Sequence, residues 1–394
     1  MLMSKIDELI NQLCPNGVTY YELRELFKIS RGRVMSKEYL RDNAGNYPVY
    51  SSQTVNNGQI GKIATFDFDG EYLTWTTDGA NAGTIFYRNG KFSVTNVCGL
   101  LKATSNKIDP KFAYYILSVN MKNYVSSGMG NPKLMSNVAE KIKIPIPPIA
   151  IQEEIVKILD TFTTLEAELE AELEARKKQY IFYRDSLLSF EGKDVEWKKL
   201  GDLTSLITKG TTPKTYSQSG VSFVKTESFD GTQIDRSRLS YVDDHTHRTF
   251  LKRSILEKDD ILITIAGATI GKVVIVPEEI LPANTNQALA IIRLNKDVNT
   301  KFVFYIMRSN YMINYINQSV KGSAQPNLNL QQLNDFMVPI PNPNEQERIV
   351  KILDKFNAIV NDISIGLPAE INSRRKQYEY YRNQLLTFNS VSNE

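Results

Sequence analysis

Arg31-Gly-Arg33, Gln53 with Asn56-Asn57, and Thr77 with Asn81 bring amide, hydroxyl and guanidinium groups into short polar stretches of the chain's first half. Lys209-Gly-Thr211-Thr212, Lys225, Asn284 through Asn286, and Lys321 with Gln325 do so in the second. Their chemistry is that of base-edge readout: Arg and Lys suit guanine, Asn and Gln suit adenine. Any one stretch also reads as a solvated turn. Their recurrence at matching places in both halves is what favours readout. Arg248 and the adjacent His247 are further candidates, within a polar loop that also holds His245, Asp243 and Asp244.

Lys272 closes the run Gly267-Ala-Thr-Ile-Gly-Lys. The spacing is one residue short of a phosphate-binding GxxxxGK[ST] loop, and Val273 stands where the hydroxyl belongs. A tight turn between strands fits better, as does a turn whose glycines let the backbone approach phosphates. Asn131-Pro-Lys-Leu and Asn342-Pro-Asn-Glu are poor matches to an adenine-methylation tetrad, and the two histidines lack converging metal ligands. Independent catalysis has no support in the sequence.

The elements that must position these residues are written twice. Ile144-Pro-Ile-Pro, Gln152 and Ile155-Val-Lys-Ile-Leu-Asp160 return as Val338-Pro-Ile-Pro, Gln346 and Ile349-Val-Lys-Ile-Leu-Asp354. Arg176-Lys-Lys-Gln-Tyr180 returns as Arg374-Arg-Lys-Gln-Tyr378. In the first copy Ile151, Ile155, Ile158, Phe162, Leu165 and Leu169 keep the four-three spacing of a coiled-coil seam, slipping one place at Leu173. Residues 151–190 would make a helix of about 60 Å. The second copy carries Gly366-Leu-Pro368, which should kink or interrupt it. Tyr180, Tyr183, Tyr378 and Tyr381 fall at helical spacing beside leucines and are expected to pack in the seam. The proline-rich segments ahead of each helix read as stiff, extended linkers.

The segments between the repeats match more weakly. Thr76, Gly79-Ala80 and Gly83 align with Thr264, Gly267-Ala268 and Gly271, and Lys111-Phe112 with Tyr115 aligns with Lys301-Phe302 and Tyr305. Short β-rich runs followed by a helix near 110–120 or 300–315 give an α+β pattern in both. Gly17-Val-Thr-Tyr-Tyr-Glu-Leu23 echoes Asp194-Val-Glu-Trp-Lys-Lys-Leu200, so the duplicated unit is circular. The expected organisation is an N-terminal helix (1–17) packing with the C-terminal repeat, a first domain (18–149), a helical spacer (150–192), a second domain (193–341) and a second spacer (342–394). The two long helices should lie antiparallel as a coiled coil, giving a pseudo-twofold arrangement.

At 394 residues, 42% hydrophobic and 23% charged, the chain has room for two domains. Net charge is +6 over residues 18–143, −4 over 151–190 and +3 over 195–338. Positive charge therefore gathers on the variable segments, where it can neutralise phosphates. No apolar run suits a membrane span, there is no basic-then-apolar leader, and Cys14 and Cys98 are widely separated. A reduced cytoplasm is expected.

With these repeats in this order, the chain resembles the specificity subunits of type I restriction–modification systems. The likeness rests on the doubled Ile-Pro-X-Pro…Gln…Ile-Val-Lys-Ile-Leu-Asp set, Gly366-Leu-Pro-Ala-Glu-Ile371, Ala266-Gly-Ala-Thr-Ile-Gly-Lys272 and Gly322-Ser-Ala-Gln-Pro-Asn-Leu328. The resemblance implies two target-recognition domains, each reading half of a bipartite sequence in double-stranded DNA. It implies helices that set the gap and dock a pair of methyltransferase subunits, with restriction–translocase subunits joining them. S-adenosylmethionine, ATP and Mg²⁺ would belong to those partners, and this chain would hold no cofactor and do no catalysis. A coiled-coil scaffold joining two modules that bind ligands or proteins, without DNA, is the alternative.

Overall fold

The computed structural model describes residues 2–126, 130–319, 327–362 and 365–391, with side chains described from Lys5 onward. Two compact units emerge: Met1–Ala167 with Arg374–Glu394, and Glu168–Ser373.

In the first unit the β-rich runs form a six-stranded sheet in the order Phe27–Arg31, Cys98–Ala103, Phe68–Thr76, Ile85–Val94, Ala44–Tyr50, Gln59–Ile63. Only Ala44–Tyr50 and Ile85–Val94 run parallel. Trp75 is fully buried and its indole nitrogen donates to the Leu134 carbonyl at 3.0 Å. Gly99 pairs with it across the ladder, where a Cβ would come within 2.2 Å of the indole ring. The helix Pro110–Asn120 starts with an Asp109 cap and a proline in its first turn, and buries Phe112, Tyr115 and Ile116 in the same core.

The second unit splits its strands into two four-stranded sheets. One is antiparallel, in the order Thr204–Lys209, Leu289–Leu294, Ile261–Thr264, Val273–Ile275. The other, Ser240–Val242, Val221–Val224, Ala283–Thr285, Ile255–Leu256, contains one parallel pair. The helix Thr300–Met307 packs Phe302, Tyr305 and Ile306 against the antiparallel sheet, with Ile261, Ile263 and Ile292. Both units are thus mixed helix and strand, and their shared motifs fall on corresponding elements.

The prolines ahead of the long helices do not form free linkers. Pro145 lies in the strand Lys143–Ile146 and faces Tyr20 of Thr19–Glu22; Pro339 lies in Met337–Ile340 and faces Trp197 of Glu196–Lys199. A two-stranded ladder has only edges, so a residue without N–H is tolerated. The partner strands are the two echoing segments, which accounts for the echo.

One helix runs from Ile149 to Leu187 and is divided between the units. In the first unit Ile151, Ile155, Ile158 and Leu159 are buried with Ile6, Leu385 and Leu386. Phe162 stacks on Tyr381 at 5.6 Å, and Glu166 pairs with Arg375 at 2.5 Å, so these helical segments run antiparallel. The seam opens at Leu165, which is 42% exposed. In the second unit Tyr180 is buried and Tyr183 stacks on Phe356 at 5.4 Å. Tyr378, 6.2 Å from Phe162, is half-buried like Tyr381, as the seam spacing predicts, while Tyr183 stays 41% exposed despite its stack on Phe356. The second repeat is two helices, Pro343–Asn361 and Leu367–Leu385. A Cβ at Gly366 would meet the Ala358 carbonyl at 2.4 Å, so the interruption requires glycine there.

Candidate nucleic-acid interface

Hydrogen bonds tie five loops of the first unit into one cluster. The Thr77 amide donates to Ser52 Oγ at 3.0 Å and its hydroxyl to the Val97 carbonyl at 2.8 Å. Ser51 and Thr95 share a hydroxyl contact at 2.8 Å, Asn81 Nδ2 reaches Thr54 Oγ1 at 3.2 Å, and Asn96 N donates to the Arg33 carbonyl at 3.1 Å. Gly79 N donates to the Pro132 carbonyl at 3.0 Å. The sequence candidates of this half are thus brought together, but in different roles.

Asn56 and Asn57 are exposed and both adopt a left-handed backbone at φ 52°. The Asn57 carbonyl accepts from Arg88 Nη2 at 2.8 Å. Gln53 spends its amide on the Gln59 carbonyl at 2.9 Å, and Thr77 is buried as a tie between loops. Arg33 is held by the Tyr39 hydroxyl at 2.9 Å and Asp67 at 3.0 Å, which together keep its guanidinium firmly protonated. Arg31 donates to Ser136 Oγ at 3.2 Å.

Sequence reasoning missed Arg88. It is buried, donates to Thr74 Oγ1 at 3.1 Å, and lies over the Tyr50 ring at 3.6 Å and the Phe86 ring at 4.6 Å. Burial lowers its pKa, and its Nη1 is a buried donor without an acceptor among the described residues. A lone Arg in a strand carries no sequence signal of such a role.

The second unit builds a comparable cluster. Thr211 N donates to the Thr285 carbonyl at 2.9 Å, Gly210 N to the Leu289 carbonyl at 3.0 Å, and Thr285 Oγ1 to the Val224 carbonyl at 2.9 Å. Lys209 and Thr212 are exposed; Lys225 pairs with Glu227 at 2.7 Å. Asn286 is half-buried and its Oδ1 accepts from Ala288 N at 3.2 Å. Asn284 is fully buried, with Oδ1 2.6 Å from His247 Nδ1 and Nδ2 donating to the Leu251 carbonyl at 3.1 Å. The expected polar loop at 243–248 is a short helix, Asp244–Arg248, whose His247 faces inward while Arg248 stays exposed and pairs with Asp244 at 2.8 Å. Lys321 and Gln325 lie outside the described residues. Lys272 is exposed, and its ammonium has no partner among the described residues.

The aligned Gly-Ala turns are geometrically the same object. Gly79 and Gly83 have φ of 87° and 79°; Gly267 and Gly271 have 86° and 85°. Gly83 N donates to the Thr76 carbonyl, and Gly271 N to that of Thr264, each at 2.8 Å. Leu134 N meets the Thr77 carbonyl and Leu328 N that of Ile265, again at 2.8 Å. One scaffold is therefore present twice with different side chains on it. The second turn leads into a strand, not a helix, as a tight turn between strands should.

Among the described residues no cluster of His, Cys, Asp or Glu could hold a metal, and no helix is long and apolar enough to cross a membrane. The family profile described as the type I restriction modification DNA specificity domain matches residues 15–175 and 192–373. A Mycoplasma pneumoniae protein named as a type I specificity subunit is 34% identical over 370 residues, spanning 93% of this chain and 96% of its own length. A type I restriction enzyme specificity subunit of Escherichia coli is 34% identical over 354 residues, spanning 86% and 84%. In fold, the chain is similar to the crystal structure of an S subunit from Mycoplasma genitalium, with a TM-score of 0.59 at 17% identity over 94% of this chain and 96% of that one. A structure from work on assembly of the type I restriction–modification system gives 0.61 at 15% identity over 95% and 98%. By the two matched regions and by relatives alike over nearly its whole length, the chain belongs to the family of type I restriction–modification DNA specificity subunits.

Proposed function

We propose that this chain is the DNA-recognition subunit of a type I restriction–modification complex, each domain reading one half of a bipartite target in double-stranded DNA. The observation that carries this reading is the pair of matching Gly-Ala turns inside two loop clusters whose exposed side chains differ. A common frame with dissimilar polar tips suits two readers of unlike sequence. The candidates whose side chains are exposed are Arg33, Asn56, Asn57, Asn81, Lys209, Thr212, Arg248 and Lys272.

The chain itself is non-catalytic in this reading and works in the cytoplasm. A pair of methyltransferase subunits docks on its helices, and restriction–translocase subunits join that core. S-adenosylmethionine, ATP and Mg²⁺ belong to those subunits. The helical repeats set the number of base pairs between half-sites.

Methylome sequencing of a host expressing the chain with its cognate methyltransferase tests the proposal. A split motif that disappears when this chain is deleted is the expected result. Duplex binding by the copurified complex should fall steeply with salt while keeping sequence preference. Binding that is absent, or indifferent to salt, would favour the scaffold without DNA.

A further inference from the structure

The second unit contains a cavity of about 290 Å³ with Lys272 and Arg308 in its wall. Phe229 and Ile313 supply apolar sides, and among the described residues no carboxylate lines it. Arg308 Nη1 donates to the carbonyls of Gly231 and Val273, both at 3.3 Å. Its Nε is a buried donor without an acceptor among the described residues. Burial lowers the Arg308 pKa, partly offset by Tyr180, and the nearby Arg184 guanidinium adds like-charge repulsion. Arg184 has its own counter-charge, Asp185 at 3.0 Å; among the described residues Arg308 has none.

A half-buried cation without a counter-ion among the described residues is costly to maintain. Here a second cation stands at the same opening, since the Lys272 ammonium is unpartnered among the described residues. The arrangement lacks one thing that would satisfy both charges and the unmet Nε donor: an anion with several acceptor oxygens. The first unit does not repeat it. By the alignment of the two domains, Thr84 stands where Lys272 is and Ser118 where Arg308 is.

We propose that Lys272 and Arg308 form a phosphate-binding pocket on the second domain, filled by a backbone phosphate of the duplex. This rests on the DNA reading above. Arg308 offers a planar guanidinium and Lys272 a mobile point charge, the pairing of groups that holds a phosphate without reading a base. The second domain would accordingly make a backbone phosphate contact that the first, with Thr84 and Ser118 at the aligned positions, does not.

The test uses the copurified complex with its methyltransferase and a duplex carrying the methylome-defined target. Lys272→Gln lies at the surface and should fold; Arg308→Gln is paired with Arg308→Lys, which restores a charge. Dissociation constants are measured across a salt series for target and scrambled duplexes, and thermal stability is followed with added inorganic phosphate. The expected result is weaker binding of both duplexes by Lys272→Gln and Arg308→Gln. The log Kd against log salt slope should shrink by about 1 per contact, with partial recovery in Arg308→Lys. An unchanged slope in Lys272→Gln, with phosphate stabilising the wild type but not the variants, would show a free-anion site and overturn the duplex assignment. No change in either measurement overturns the pocket altogether. A wild-type complex that fails to bind duplex would instead remove the DNA reading, while the phosphate arm would still report on the pocket.

Discussion

The hydroxyl of Tyr305 donates to Asp354 at 2.6 Å, while Lys301 Nζ takes the other carboxylate oxygen at 2.6 Å. One repeat earlier Tyr115 and Lys111 hold Asp160 in the same way, at 2.6 and 2.5 Å. In the sequence the Lys-Phe…Tyr pair and the Asp that ends Ile-Val-Lys-Ile-Leu-Asp are separate repeated motifs. In the fold they are one clamp, fastening each domain helix to the helix of the repeat that follows it. Burial first, and then the aspartate, push both phenols above their usual pKa range, so each remains a protonated donor.

Tyr115→Phe and Tyr305→Phe should therefore destabilise the chain similarly, each by about 1–2 kcal/mol, since a hydrogen bond to a charged, partly solvated acceptor is lost. Lys111→Met should cost less than about 1 kcal/mol because that pair is solvated. Urea unfolding of the three variants checks this. A large effect of lysine removal with none from either tyrosine would contradict the clamp.

Arg88 supports the Asn56-Asn57 tip from below, through the Asn57 carbonyl and the faces of Tyr50 and Phe86. Arg88→Met should blur base preference at the first half-site and leave the second as it was. Arg88→Lys keeps the charge but not the fork, and should recover the preference only in part. Methylome sequencing reads both half-sites in one experiment, so the second serves as an internal control. Equal loss at both would mean that Arg88 merely stabilises the chain.

How far the sequence could be read depended on what kind of signal each feature leaves. Periodicity marked the long helices, and Gly366-Leu-Pro marked the interruption, because helix geometry and proline chemistry are local. The offset between the two Gly-Ala turns was visible because positive φ demands glycine at Gly79, Gly83, Gly267 and Gly271. Polar loops were a different matter. Thr77 and Asn284 look like readers by residue type, yet both are buried hydrogen-bonding ties. Type alone does not say whether a donor faces water or a neighbouring carbonyl. Arg88 left no trace because its partners, Asn57, Thr74 and Tyr50, come from other strands and loops. Pro145 and Pro339 suggested linkers because edge pairing is a tertiary property.

The cysteines give a check on the first unit's core. Cys98 is 2% exposed, and burial pushes its thiol up to about 12, whereas Cys14 is half-buried and raised less. Near pH 8 Cys98 is therefore held as the unreactive thiol. A maleimide should label Cys14 well ahead of Cys98 in the native chain, and both at similar rates in denaturant. Native labelling at equal rates would show that the strand Cys98–Ala103 is not packed as described.

The Asn56-Asn57 tip allows base reading to be separated from backbone shape. Both residues sit at φ 52°, where asparagine is tolerated and glycine costs nothing sterically, while alanine would be strained. Replacing both by glycine should keep the turn and its Arg88 contact while removing two amide side chains able to pair with adenine. The expected result is a first half-site that loses discrimination at one or two positions, by about 1–3 kcal/mol for each bidentate contact removed. Overall affinity for non-target duplex should be retained. Asn56→Ala with Asn57→Ala should do worse, because strain is added to the missing contacts. If the complex carrying the glycine variant methylates the wild-type motif with unaltered preference, the tip does not read bases, and Asn81 becomes the next exposed amide to test in that loop cluster.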